Sequence, residues 1–353
     1  MFERTEEILK EAVESGALPG AAYAVGRGDE IYASGVLGSR QLFPERIAAD
    51  AETLWDLASL SKLTATTMIA LRMIEEGRLG LYDPLPMYFD HCGAFADATV
   101  WNLMTHTSGL TPHISLDEHA ESPADCARVI LSSEPVCRVG ENVNYSCMGY
   151  ILLGKLLEQA GGAPLDVLAG RMVFEPLGMK TACYNPVSEN VVTTEYCDYR
   201  GGYIKGQVHD GNAWFLGGVS GNAGVFASLS DMCRFAAMLS GRGRSGGVTY
   251  LTRRMFDLAV RPLTPGMRES RGLGFQLRGE GCAIAGDLMT SDSYGHSGFT
   301  GTALYVDAET GVYGLLLTNS VHFGRNNRTA SYRVRRMFYN SLMNDWFRGR
   351  YNG

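Results

Sequence analysis

Short, turn-bounded apolar runs crowd both ends of this 353-residue chain, and helical patterns fill its middle. That distribution limits the fold more than any single motif does. Residues 4–15 place Ile8, Leu9, Ala12 and Val13 on one helical face. After the Leu18-Pro19-Gly20 break, AAYAVGRG and EIYASGVLG are alternating runs joined by a turn around residues 27–29, which predicts a hairpin. A third run, 53–57, passes into a helical pattern from about Ser59 to Glu76, closed by Gly77 and Gly80. Further helices are predicted at 99–106, 123–132, 145–160 and 165–173. Strand patterns return at 272–277, 294–306 and 312–318, and a final amphipathic helix is predicted at about 328–346. An exposed sheet face must be covered, so strands at both ends predict one sheet built from the N- and C-terminal segments, with a helical subdomain beside it. The expected division is 1–75 with 236–353 as an α/β unit and 76–235 as a mainly helical one, with the active site between them.

Charge and cysteine usage remove several functions. Lys and Arg number 31 against 38 Asp and Glu, a net charge of −7, and no basic run is long enough to form a nucleic-acid footprint. No apolar stretch approaches the roughly 20 residues of a membrane span. The start, MFERTEEILKEAVESGALPG, is a charged amphipathic pattern and not a secretion leader, so a cytoplasmic protein is expected. The eight cysteines, Cys92, Cys126, Cys137, Cys147, Cys183, Cys197, Cys233 and Cys282, are scattered without a CxxC pair, which argues against a disulfide framework. His91 beside Cys92 has no second pair at ligand spacing, so no metal site is expected.

Three short elements carry chemistry. In Ser59-Leu60-Ser61-Lys62 the serine and lysine share one face of a first helical turn. A partly desolvated lysine there has a lowered pKa and helps remove the hydroxyl proton, while the helix start offers N–H groups to an oxyanion. The spacing alone is weak, because a chain of this length contains Ser-x-x-Lys about once by chance, and a serine near an N-cap followed by a solvated lysine reads the same way. Tyr145 opens a second helical pattern, where its hydroxyl either serves as a general base beside an ammonium or simply packs under a loop. Tyr294-Gly295-His296-Ser297-Gly298-Phe299-Thr300-Gly301 heads a strand pattern whose small residues let a substrate lie alongside; a glycine-rich hairpin with a surface histidine is the other reading.

Together and in this order, these elements resemble the serine β-lactamase and penicillin-binding-protein superfamily, most nearly its class C β-lactamase, D-peptidase and family VIII carboxylesterase branch. The resemblance runs nearly end to end. It includes Leu103-Met104-Thr105-His106-Thr107-Ser108-Gly109-Leu110, the turn Gly77-Arg78-Leu79-Gly80 with Leu81-Tyr82-Asp83-Pro84, and the loop Gly217-Gly218-Val219-Ser220-Gly221-Asn222-Ala223-Gly224. It implies a β-lactamase/transpeptidase-like α/β fold, an antiparallel sheet flanked by helices with an inserted helical subdomain. It further implies Ser59 as the acylated nucleophile, Lys62 as its partner and Tyr145 as proton relay. His296-Ser297-Gly298 stands in the place of Lys-Thr-Gly, and the backbone N–H groups of Ser59 and Phe299 would form the oxyanion hole. No cofactor or metal is implied.

Two departures bear on substrate. Cys147 stands where the family has the asparagine of Tyr-x-Asn, and a thiol orients an amide only weakly. His296 replaces a permanently charged lysine and is a poorer carboxylate anchor. Both favour a carboxylesterase or amidase/D-peptidase acting through an acyl-enzyme on a small ester, amide or peptide. A β-lactamase or penicillin-binding protein, a transacylase, and a non-catalytic binding module of the same fold are the alternatives. Intact Ser59, Lys62 and Tyr145 count against the last. His106 is expected to brace its loop, His209 with Asp210 either lines the cleft or fixes a turn, and His113, His119 and His322 carry no role.

Overall fold

The structure is a computed structural model that describes residues 2–281, 283–326 and 328–351; Cys282 lies outside the described residues. Its centre is a seven-stranded antiparallel sheet whose spatial order is Gln276–Leu277, Tyr294–Ser297, Ala303–Val306, Val312–Thr318, Gly20–Arg27, Glu30–Gln41, Ile47–Ala48. The N- and C-terminal segments meet where Ala21 pairs with Thr318 and Arg27 with Val312.

In the central strands Ala303–Val306, Val312–Thr318 and Gly20–Arg27 both faces are buried, and the side-chain period of two sorts residues between them. Ala21, Tyr23, Val25, Ala303, Tyr305, Val312 and Leu316 face the two terminal helices, Glu3–Glu14 and Arg328–Tyr351, which supply Leu9, Ala12, Phe338, Tyr339, Leu342 and Trp346. The alternate residues Ala22, Ala24, Leu304, Val306, Leu315 and Leu317 face the larger core with Leu63, Met68 and Leu71. This is why the 312–318 run is apolar throughout instead of alternating. The terminal helices are tied by Thr5, whose N–H and hydroxyl both donate to the buried Asp345 carboxylate at 3.0 and 2.9 Å.

On the larger core lies the helix Cys147–Gly161, apolar on almost every side with Met148, Tyr150, Ile151, Leu152, Leu153, Leu156 and Leu157 buried. Ser146 caps it, accepting the Gly149 N–H at 3.1 Å, and Gly162 ends it in the left-handed conformation. The predicted 59–76 helix is a π-helical turn, Lys62–Thr67, continued by the α-helix Met68–Glu75. A three-stranded sheet of Trp55–Asp56, Val225–Ala227 and Cys183–Tyr184 leads into it; its last two strands are too short to show a pattern in the sequence. Among the described residues no helix is long and apolar enough to cross a membrane, and the seven described cysteines are free thiols.

One predicted strand is corrected. The 294–306 run is a hairpin, Tyr294–Ser297 and Ala303–Val306, because residues 298–302 turn: the Gly298 N–H donates to Thr302 O at 2.7 Å and Gly301 has φ +110°. That turn is stitched to the segment preceding Ser59. Thr300 Oγ1 donates to Asp56 O at 2.8 Å and Thr302 Oγ1 to Leu57 O at 3.0 Å. A Cβ on Gly298 would lie 2.4 Å from Leu57 O and 2.2 Å from Thr302 Oγ1, so only glycine lets the two backbones approach this closely. Gly298→Ala is expected to cost about 1–3 kcal/mol by overpacking and to lower the denaturant midpoint accordingly. An unchanged midpoint would show that the turn yields freely.

Candidate active site

Ser59 sits at a sharp strand-to-helix turn. The preceding Ala58 has φ +47°, unusual for a residue with a Cβ, and its N–H donates to Asp56 Oδ1 at 2.8 Å. Asp56 is buried and holds a second backbone group with its other oxygen, accepting the His209 N–H at 2.7 Å. Burial raises its pKa despite these two bonds. The N–H groups of Leu60, Ser61 and Lys62 donate to Leu57, Ala58 and Ser59 carbonyls, whereas no hydrogen bond engages the Ser59 N–H among the described residues. That N–H is thus left available to an acceptor outside the helix.

Lys62 is fully buried. Its Nζ donates to Ser59 Oγ at 3.0 Å, to Asn222 O at 2.9 Å and to Cys147 Sγ at 3.5 Å, and lies 5.1 Å from the centre of the Tyr145 ring. Lys62 and Ser59 both lie close enough to the Tyr145 hydroxyl to favour its ionised form. The lysine pKa differs in direction from the expectation. Burial works to lower it, but Cys147, Tyr145 and Asp210 outweigh burial and hold it above the ordinary lysine value. Burial raises the Tyr145 phenol as well, against the opposing pull of Lys62. At neutral pH the resting pair is an ammonium and a phenol.

The opposite wall is the hairpin that begins at Tyr294. Ser59, Tyr145, Arg271, His296, Ser297, Gly298 and Phe299 all line one cavity of about 270 Å³. His296 is buried, and its Nδ1 lies 2.8 Å from Ser297 O, which assigns the proton to Nδ1. Burial, then Arg271 and Lys62, push its pKa well below the usual histidine range, so the imidazole is neutral. The positive charge on this wall comes instead from Arg271, whose guanidinium lies 5.3 Å from the Tyr145 ring centre and pairs with Glu269. Arg335 from the C-terminal helix donates to Gly298 O at 3.2 Å and steadies the turn.

The structure thus gathers Ser59, Lys62, Tyr145, Cys147, His296, Ser297, Gly298 and Phe299 in one place. Cys147 meets the lysine, as the asparagine it replaces would be expected to. His209 lies behind Phe299, stacked on it at 5.6 Å, with Nε2 3.0 Å from Glu195 Oε1. Glu195, paired with His209 and Arg325, is held down at about 2 despite its burial. Sequence reading missed Asp56, Glu195 and Arg271, since a lone carboxylate or arginine has no spacing to mark it. Among the described residues no group of three His, Cys, Asp or Glu side chains could hold a metal.

The "Beta-lactamase" family pattern matches residues 5–336. The chain belongs to the Beta-lactamase family. Among curated relatives of this family member is an N-acetylmuramyl-L-alanine amidase of Bacillus subtilis, 25% identical over 90% of this chain and 81% of the relative. A D-alanyl-D-alanine carboxypeptidase assigned in Salmonella newport is 26% identical over 80% of this chain and 72% of its own. The solved structure of EstCE1, a hydrolase with promiscuous acyltransferase activity, superimposes with TM-score 0.78 over 97% of this chain and 98% of its own, at 19% identity.

For this Beta-lactamase family chain the raised pKa values of Lys62 and Tyr145 have a kinetic consequence. If the pair takes the Ser59 proton, it can do so only after losing one of its own, and raised pKa values move that loss to higher pH. The kcat/KM for a neutral ester is therefore expected to climb steadily from about pH 6 to about pH 8. A flat profile across that range would overturn the ammonium–phenol assignment.

Proposed function

We propose that this serine hydrolase forms an acyl-enzyme at Ser59, with Lys62 and Tyr145 moving the proton. The observation that carries the reading is the 3.0 Å contact from Lys62 Nζ to Ser59 Oγ, with the Tyr145 ring centre 5.1 Å from that Nζ and Ser59 and Tyr145 lining one cavity. Ser59 Oγ attacks the carbonyl carbon and its proton passes to the deprotonated Lys62–Tyr145 pair. The carbonyl oxygen takes the negative charge beside the Ser59 and Phe299 N–H groups. Collapse expels the leaving group, which takes up the proton, and water repeats the sequence on the acyl carbon. The 76–235 segment supplies Tyr145 and Cys147, and the remainder supplies Ser59, Lys62 and the strand Tyr294–Ser297 with the turn that follows it, so the site lies between the two proposed units.

The substrate class is a small ester, amide or peptide. The names of the amidase and carboxypeptidase relatives support the amide arm, and that of EstCE1 supports the ester arm. Neutral His296 and the Cys147 thiol favour activated esters over cephalosporins. Loss of a desolvated ammonium anchor is worth on the order of 1–3 kcal/mol, or about one to two decades in rate. A fluorophosphonate should add mass to the wild type and not to Ser59→Ala, and short p-nitrophenyl esters should exceed a cephalosporin reporter in kcat/KM. Equal labelling of both proteins would remove Ser59 as nucleophile; a faster cephalosporin would remove the esterase preference.

The shared proton also makes Lys62 and Tyr145 one unit. Lys62→Met and Tyr145→Phe should each lower kcat/KM by a few decades, and the double variant little further. Additive losses on one activated ester, with folding checked by thermal melts, would mean that the two side chains act separately.

A further inference from the structure

We propose that His106 is the positioning residue for Tyr145, clamping the backbone on both sides of that tyrosine and bracing its ring so that the phenol oxygen stays at Ser59 and Lys62. The inference rests on the reading of Tyr145 as proton relay and adds to it the element that sets the relay's geometry.

Three independent contacts converge. The His106 carbonyl accepts the Asn144 N–H at 2.8 Å, and its Nδ1 accepts the Ser146 N–H at 3.2 Å. The residue between those two donors is Tyr145. The imidazole itself lies 4.6 Å from the Tyr145 ring, centre to centre, and 5.1 Å from the Tyr150 ring. One residue thus fixes the chain before the tyrosine, the chain after it, and the plane of the phenol.

The backbone is bent to make this possible. His106 has φ +57°, a left-handed conformation that costs a non-glycine residue energy and persists only where the surroundings impose it. In that conformation both its carbonyl and its side chain face the 144–146 segment. Further bonds hold the two loops together: Gly140 N–H to Thr107 O at 2.7 Å, Cys147 N–H to Pro112 O at 3.1 Å, Asn144 Nδ2 to Leu110 O at 2.8 Å and Ser146 Oγ to Thr111 O at 2.6 Å. His106 differs from these partners in meeting both flanking residues and the Tyr145 ring.

The chemistry of the imidazole is also fixed. Because Nδ1 accepts, its lone pair is there and the ring proton is on Nε2. A second proton would set N–H against N–H and release Ser146. The ring is buried, and the groups facing it are Lys62 from the nucleophile helix, Arg271 from its loop, His296 from the sheet edge, and Tyr145 and Tyr150. Burial, then Arg271, Lys62 and His296, push its pKa well below the ordinary value, so the acceptor stays available at neutral pH.

The test compares the full-length wild type with His106→Phe, His106→Asn and Tyr145→Phe on one activated p-nitrophenyl ester, with active sites counted by fluorophosphonate titration. His106→Phe keeps a ring and loses the acceptor. It is expected to lower kcat per titrated site by about ten- to a hundredfold, with KM within about threefold. Asparagine tolerates the left-handed backbone and places an amide oxygen near the position of Nδ1, so His106→Asn is expected to come back to within about fivefold of wild type. A His106→Phe enzyme with fewer titratable sites but an unchanged kcat per site would overturn the proposal, because the residue would then hold only the fold.

Where His106→Phe fails to fold, nitrogen-15 NMR of the wild-type imidazole decides. Nδ1 should be unprotonated and Nε2 protonated, with no titration from about pH 5.5 to about pH 8.5; a proton on Nδ1 or a titrating ring overturns the clamp. Full activity in Tyr145→Phe would instead bring down the relay reading, and the imidazole tautomer would still decide the clamp by itself.

Discussion

A lysine ammonium lies at the bottom of this site with no water-exposed surface. Removing such a charge from water costs several kcal/mol even after the protein relaxes around it, so the surrounding structure has to return that energy through fixed acceptors. Ser59 Oγ, the Asn222 carbonyl and the Cys147 sulfur are those acceptors, and they come from three separate segments. The Asn222 loop is in turn fixed by Thr66 Oγ1 donating to Gly221 O at 2.7 Å, by the Val225 N–H donating to Ser61 Oγ, and by the Asn222 amide donating to Asp210. The charge and its supports therefore define one another. A displacement of any of the three segments would strand a buried cation, which is far more costly than losing an exposed one.

The same contacts explain why the tyrosine sits where it does. Lys62 favours the phenolate and burial disfavours it; burial prevails, so Tyr145 holds its proton more tightly than an ordinary phenol. Cys147 adds a soft, weakly polar group on the lysine where an amide would have bonded more strongly. The lysine keeps its charge through sulfur and phenol oxygen instead.

Much of this could be read in the sequence, for reasons of range. The strands at 20–27 and 312–318 showed themselves because alternate residues feed two cores, and the helix at 147–161 because its apolar period is continuous. Ser59 and Lys62 were legible as a one-turn pair. What escaped depends on contacts distant in sequence. The lysine was expected to lose basicity on burial; Cys147, 85 residues away, with Tyr145 and Asp210 reverses the direction. Asp56 gave no sign of its two backbone partners, one of them 153 residues distant. The 294–306 run read as one strand because the turn inside it is set by Thr302 and by bonds to residues 56 and 57, which no local pattern carries.

The neutral histidine in place of a charged residue shifts how this wall can act on a substrate. His296 is bonded to its own neighbour's carbonyl and kept uncharged by burial and by two nearby cations, so it supplies no long-range attraction. The fixed positive charge of Arg271 is largely matched by Glu269, and that of Arg325 by Glu195. Attraction at a distance from His296 and these two arginines is therefore weak, and beside them stand short-range features: N–H groups at the Ser59 turn and a phenyl ring at Phe299 exposed on the cavity. Interactions of that kind strengthen as the carbonyl oxygen gains charge and do little for the ground state. Under the proposed function, such a wall would select substrates by how readily their carbonyl carbon is attacked more than by a charged tail, because the imidazole on it is buried and neutral.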